Sequence, residues 1–169
     1  MNSPALDDRF FLDKNEQFFV ATKCCVFYEE KILILAELFP DDTFWWELPG
    51  GKIQKDERNT PICESLAREL REEIGDDFGV EEGGATLFVA QKSFEQMVTG
   101  EDIPPTMFLC YFLKLHAEPS ISLSREHGKY RWITEDEIDS IEWWRDGFDT
   151  IVRQAFLYKK IHTHHTPNS

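Results

Sequence analysis

Two segments, Leu48-Pro49-Gly50-Gly51-Lys52-Ile53 and Arg68-Glu69-Leu70-Arg71-Glu72-Glu73-Ile74-Gly75, decide how this chain folds and where its chemistry sits. The first is a glycine turn, whose backbone can approach a ligand closely. The second places three carboxylates on one helix. Ile62, Cys63, Leu66, Ala67, Leu70 and Ile74 recur at helical spacing and form an apolar stripe. Thr60 is the expected N-cap, Pro61 suits the first helical position and Gly75 is the expected stop. At about 100° per residue, Glu69, Glu72 and Glu73 share an arc of roughly 100° beside that stripe. Like charges at these spacings destabilise an isolated helix by roughly 0.2–0.5 kcal/mol per pair. A bound cation reverses the sign of that contribution. Hard cations such as Mg2+ take oxygen ligands and bind through carboxylates together with substrate phosphates. Arg68, four residues before Glu72, is placed to orient a carboxylate through a forked hydrogen bond.

A solvated helix face would explain a lone Arg-Glu-x-x-Glu-Glu as well as a cation site does. Pro49-Gly50-Gly51 upstream, with Glu57 six residues after Gly51, moves the reading toward the cation.

Together these residues resemble the signature of the Nudix hydrolases. Gly51, Glu57, Arg68, Glu69, Leu70, Glu72, Glu73 and Gly75 match that family's box in order, and Trp46-Glu47-Leu48-Pro49-Gly50-Gly51 resembles its lead-in. Strand patterns on both sides extend the resemblance to roughly residues 18–160. There are two departures. The gap between Glu57 and Arg68 is ten residues, Arg58 to Ala67, where the family has seven. This leaves the helical carboxylates in register and puts the role of Glu57 in question. Asp76 stands where the family is usually apolar, beyond the helix stop.

The resemblance implies an α/β fold, a Nudix-type α/β/α sandwich with a central mixed β-sheet. It implies hydrolysis of a diphosphate linkage in a nucleoside diphosphate joined to a moiety X. One or more Mg2+ or Mn2+ ions would be held by Glu69, Glu72 and Glu73 with Glu126, and by the backbone carbonyl of Gly50. Glu126 precedes the aromatic segment ending at Trp132, where many family members carry a further metal ligand or base. Glu72 and Glu126 are the candidate bases, and Arg68 would orient the carboxylates. His127, beside Glu126, reads as an ordinary surface histidine. Lys52, Trp46 and Phe94 are the candidate substrate contacts, with Phe44, Trp45 and Trp132 as further aromatics able to stack a base. Glu95, Glu101 and Asp102 are acids that no spacing singles out.

A nucleoside triphosphate is the first choice of substrate and a nucleotide sugar or ADP-ribose the next. A non-catalytic ligand sensor on the same fold is the alternative from a different class, though such proteins usually lack some box glutamates. An isomerase of isoprenoid diphosphates ranks lower still.

The rest of the chain bounds this reading. Its 169 residues suit a single domain, read as a leader over 1–16, the domain over 17–161 and a tail over 162–169. A formal net charge of −14 repels nucleic-acid backbones, so no nucleic-acid polymer is expected as partner. Basic residues gather near the motif instead (Lys52, Lys55, Arg58, Arg68 and Arg71, with Lys129 and Arg131 apart), which suits a small anionic nucleotide. Homodimerisation is compatible with the sequence. No apolar run reaches membrane-span length, and no secretory signal is visible. Cys24, Cys25, Cys63 and Cys110 lack zinc spacing and read as buried free thiols, which favours a cytoplasmic location.

Strands are expected over 18–27, 32–38, 44–48, 85–95, 106–115 and 130–133. The segment 106–115 is nearly all apolar, as for a central strand covered on both faces. Thr134 should cap a short helical segment, and 146–161 reads as an amphipathic helix. The tail His162-Thr163-His164-His165 reads as a frayed end.

Overall fold

The structure is a computed structural model that describes residues 18–39, 43–75, 83–92, 105–144 and 147–163. Phe94, Glu95, Glu101, Asp102 and Asp76 lie outside the described residues, as do the leader, His164 and His165.

The β-branched and aromatic runs form six strands: β1 Phe19–Tyr28, β2 Lys31–Leu38, β3 Phe44–Glu47, β4 Ala85–Lys92, β5 Thr106–Leu115 and β6 His127–Ile133. Two helices, α1 Ile62–Ile74 and α2 Phe148–Thr163, accompany them, with 3-10 turns at Lys55–Glu57 and Glu135–Ser140. The strand order is β3-β2-β1-β5-β4, and β6 pairs with β2 as well. The long β1–β5 pair is parallel and the remaining pairs are antiparallel, so the sheet is mixed. The apolar β5 runs between β1 and β4, as its composition predicts.

Among the described residues, each face of the sheet carries one helix. Leu66, Ala67, Leu70 and Ile74 of α1 pack on Cys24, Val26, Leu33, Leu35, Tyr111 and Leu113. On the other face, Phe148, Ile151, Val152, Ala155 and Phe156 of α2 pack on Cys25, Phe27, Ile32, Ile34, Phe108 and Ile133. Fully burying a Leu, Ile or Phe contributes about 1.5–3 kcal/mol each, enough to hold both helices on the sheet. The chain therefore has the α/β sandwich with a central mixed sheet that its pattern implies.

Several boundaries differ from the sequence reading, each for a local reason. Helix α1 begins at Ile62 with Pro61 as its cap residue at ψ 138, so Thr60 lies one position before the cap. Ile62 at the helix start is 40% exposed and Cys63 half-buried, so the apolar stripe takes hold only from Leu66. Gly75 ends the helix in the left-handed region at φ 85, its N–H on the Arg71 carbonyl. Strand β6 starts three residues earlier than expected, at His127, because β2 pairs with it as far as Glu37 through a register shift. Helix α2 runs on to Thr163, where the His162 ring stacks on Tyr158 at 3.9 Å and shares a hydrogen bond with the Tyr158 carbonyl. The segment capped by Thr134 forms as expected: Glu137 accepts from the Thr134 N–H at 2.8 Å and from its hydroxyl at 2.9 Å.

Candidate active site

The glycine turn is attached to an edge of β1. Thr22 N–H donates to the Gly51 carbonyl (2.9 Å), Cys24 N–H to Pro49 (2.8 Å), and Ile53 N–H to Val20 (3.0 Å). Gly50 adopts φ 116, and a Cβ there would lie 2.3 Å from the Thr22 carbonyl oxygen. A Cβ on Gly51 would lie 2.6–2.7 Å from the carboxylate of Glu69. The two glycines thus bring backbone against β1 on one side and against a helical glutamate on the other.

Glu73 reaches from α1 to this turn and accepts the Gly50 N–H at 2.6 Å. It is buried, and burial pushes its pKa up to about 7; Lys23 opposes this shift and Glu47 adds to it. Burial likewise raises Glu69. Arg68 joins the remaining carboxylates. Its guanidinium donates to Glu57 at 2.8 and 3.1 Å, to Glu69 at 2.7 Å and to Glu72 at 2.8 Å. The hydrogen bonds from Arg68 hold Glu57 at about 2, well below the usual carboxylate range. The longer segment before the helix makes a turn at Arg58–Asn59, while Glu57 closes the preceding 3-10 turn by accepting from Gln54 N–H at 2.7 Å. Glu57 therefore keeps its forked bond to Arg68 despite the longer loop.

The segment before β6 completes the cleft. Ser122 N–H donates to the Ile74 carbonyl and Ser124 N–H to that of Glu73, both at 3.0 Å, tying this loop to the end of α1. Glu69, Glu72, Glu73 and Glu126 then line one cleft of about 200 Å3 together with Ser124 and Arg125. A larger cavity of about 550 Å3 adjoins it and shares Glu69, Glu73 and Glu126. Its lining includes Lys23, Glu47, Gly50, Lys52, Phe108 and Trp144.

Of the residues singled out from sequence, Gly50, Lys52, Glu69, Glu73 and Glu126 meet in the larger cavity. Glu72 reaches the smaller cleft, and Arg68 stands behind it as the hub of three carboxylates. Trp46 is not among the cavity residues. It packs partly buried against the α2-side core, edge-on to Phe44, with the Lys129 ammonium over both rings. Trp132 packs on the opposite core with Tyr28, and Trp45 is exposed.

His127 corrects the sequence reading of a surface histidine: it is 6% exposed. Its Nδ1 shares a hydrogen bond with Ser124 Oγ at 3.1 Å, and its Nε2 lies 3.4 Å from Glu47 and 3.9 Å from Glu73. The cause is the register shift in β6, where Lys129 pairs with Ala36 but His127 with Glu37. An extra residue at a bulge re-aims the next side chain, here toward the cavity. Two further residues, Lys23 and Glu47, were missed. Lys23, in the middle of β1, donates to Glu47 at 2.6 Å, to the Leu48 carbonyl at 2.9 Å and to the Gly50 carbonyl. Burial disfavours its charge, but Glu47 and then Glu73 outweigh that and raise its pKa. The available signal was a lysine inside an otherwise apolar strand, a charge that folding must pair.

The donor chemistry fits a divalent cation. Glu69, Glu72, Glu73 and Glu126 offer hard oxygen donors around the smaller cleft, and Gly50 lines the adjoining cavity. Burial is the main cause of the raised pKa of Glu73, with Glu47 adding to it, and a bound cation would favour its charged form. Glu47, Glu73 and His127 also converge within 4.8 Å, but Lys23 already pairs with Glu47 there. The buried cysteines offer no thiolate: burial pushes Cys24 and Cys25 up, and Cys110 to about 12. Among the described residues no helix is long and apolar enough to cross a membrane.

A family model for the NUDIX domain matches residues 18–154. No curated protein matches the chain significantly. Among solved structures, the chain is similar to a MutT protein from Methanosarcina mazei Go1, with 20% identity and TM-score 0.61 over 86% of this chain and 96% of that one. It is also similar to the E. coli dihydroneopterin triphosphate pyrophosphohydrolase, with 19% identity and TM-score 0.60 over 86% and 99%. A third is a bifunctional NMN adenylyltransferase/ADP ribose pyrophosphatase from Francisella tularensis, complexed with AMP and a Mn ion. It has 19% identity and TM-score 0.61, over 89% of this chain and 44% of that one. At these identities the likeness establishes the fold, and the substrates named belong to those proteins. With 137 consecutive residues matched by the family model, and the box residues gathered around one carboxylate cleft, the chain belongs to the NUDIX family and is a hydrolase of pyrophosphate linkages.

Proposed function

We propose that the chain is a divalent-metal-dependent pyrophosphohydrolase whose substrate is a nucleoside triphosphate. The observation that carries this reading is the convergence of Glu69, Glu72, Glu73 and Glu126 on one cleft beside the Gly50–Gly51 turn. Glu69, Glu73, Glu126 and the Gly50 carbonyl would hold Mg2+ or Mn2+, with Glu72 at the margin. When bound, the metal neutralises the diphosphate and lowers the pKa of an attacking water.

The chain's own residues supply the rest. Arg68 acts as a positioning residue, fixing Glu69 and Glu72 by charge-assisted hydrogen bonds. Glu72 or Glu126 takes the water's proton, a contribution of typically ~10²–10⁴-fold. Glu72 is the more exposed member of the Arg68 set, its side chain 56% accessible, and is open to solvent water. Lys52, on the cavity wall beside the glycine turn, is placed for a phosphate oxygen. The large cavity, with Phe108 and Trp144 among its walls, has room for a nucleoside next to the charged cleft. A small nucleotide rather than a polymer is the partner this site suits, in agreement with the net charge of −14. A cytoplasmic location, where nucleotides and divalent cations are available, fits the same reading.

A product-resolved hydrolysis panel tests it. Nucleoside triphosphates, nucleotide sugars, ADP-ribose and dinucleoside polyphosphates are supplied with Mg2+ or Mn2+, and products are identified by mass spectrometry. The expected result is a nucleoside monophosphate plus pyrophosphate from a triphosphate, with turnover lost on adding EDTA. Turnover confined to ADP-ribose or a nucleotide sugar overturns the substrate assignment. Turnover unaffected by EDTA overturns the metal.

A further inference from the structure

Lys23 is a buried lysine in the cavity wall that the proposed reaction does not use. It is 5% exposed, and its three ammonium donors go to Glu47, the Leu48 carbonyl and the Gly50 carbonyl. Both backbone polar groups of Gly50 are therefore held, its N–H by Glu73 and its carbonyl oxygen by Lys23. That oxygen is the one assigned above to the divalent ion. An ion taking it meets a positive charge at hydrogen-bond distance, in a setting where cation repulsion is weakly screened. The ammonium has somewhere to go: with Gly50 released, Glu47 and the Leu48 carbonyl still hold it, so the turn stays anchored. A metal arriving alone adds a second cation to Lys23, whereas a metal arriving with a diphosphate brings the compensating negative charge.

Building on the metal-dependent reading of this site, we propose that Lys23 is an internal countercation on the Gly50 carbonyl, displaced when a divalent ion enters together with a diphosphate. The free protein then binds divalent ions weakly, and the metal–diphosphate complex is the species the site accepts. Lys23 acts here as a positioning residue, through the Gly50 carbonyl.

The test is equilibrium Mn2+ affinity of the full chain, read by the EPR signal of free Mn2+, without nucleotide. Lys23→Met removes the ammonium, and the double variant Lys23→Met/Glu47→Gln removes it while keeping the net charge of the pair. Because a hydrogen bond from a charged donor is lost, Lys23→Met is expected to bind Mn2+ about ten- to a hundredfold more tightly than wild type. The double variant is also expected to bind more tightly. Affinity unchanged or weakened in Lys23→Met overturns the proposal. Tightening in the single variant alone also overturns it, because charge and not occupancy of the carbonyl would then explain the gain. Should the variants fail to fold, the wild type decides: the 15N signal of the Lys23 ammonium must shift on saturation with Mg2+ and methylenediphosphonate. An unshifted signal overturns the proposal while leaving the metal reading intact. If wild type binds no Mn2+ even with methylenediphosphonate, the metal reading fails and the proposal with it.

Discussion

Glu73→Gln is expected to lower kcat/KM by roughly 10³-fold while leaving the protein folded, since removing one preorganised group at developing charge has effects of this order. Glutamine fills the same space and can still accept the Gly50 N–H that Glu73 takes at 2.6 Å, so the turn keeps its shape. What it cannot supply is the buried negative charge. The stability effect has the opposite sign. Glu73 sits at about 7 in the folded protein, against 4.5 for the ordinary group. The folded state therefore binds its proton more tightly than the unfolded chain does. Stability falls as pH rises from about 4.5 through 7, and that cost is fully present above 7. A neutral glutamine escapes it, so at pH 8 with chelator the variant should be at least as stable as wild type. Urea melts and steady-state kinetics check both halves. Wild-type kcat/KM would remove Glu73 from the reaction, and a large loss of stability would make it a structural residue instead.

Gly50→Ala should fail for the reverse reason, through backbone and not charge. The residue needs φ 116, and a Cβ would approach the Thr22 carbonyl oxygen to 2.3 Å, a distance no side-chain motion can relieve because the obstacle is backbone. Backbone strain and overpacking of this kind cost about 2–5 kcal/mol together. The turn must move off β1, taking with it the N–H held by Glu73 and the carbonyl held by Lys23. Turnover should fall along with stability, in contrast to Glu73→Gln. A urea midpoint equal to that of wild type would show that the turn is looser than its contacts with β1 indicate.

How far the chain could be read beforehand follows from where its information lies. Glu69, Glu72 and Glu73 were legible because one helical repeat places them, and nothing distant is needed to know that they share a face. Their meeting with Gly50 followed from the short connection between turn and helix. β5 was legible because an unbroken apolar run has to be covered on both faces. The buried network behind the site was not. Lys23, Glu47 and His127 are 24 and 80 residues apart along the chain, and only the pairing of β1, β3 and β6 with β2 brings them together. His127 read as a surface residue because no alternation pattern announces a bulge at Gly128. Trp46 looked available for a base, yet its strand pairing with Ala36 turns it to the core on the α2 side. Glu57 shows the converse: the longer loop put its role in doubt, but the guanidinium of Arg68 reaches it with both donors.

The carboxylate cleft is the expected site of the divalent ion. Anomalous diffraction at the manganese edge, from crystals grown with Mn2+ and a non-hydrolysable triphosphate, tests it most directly. A peak is expected among Glu69, Glu73, Glu126 and the Gly50 carbonyl, at oxygen distances of roughly 2.0–2.2 Å, with Lys23 withdrawn to Glu47. A peak on His127 and Glu47 instead, or none in a crystal that holds the triphosphate, would contradict it.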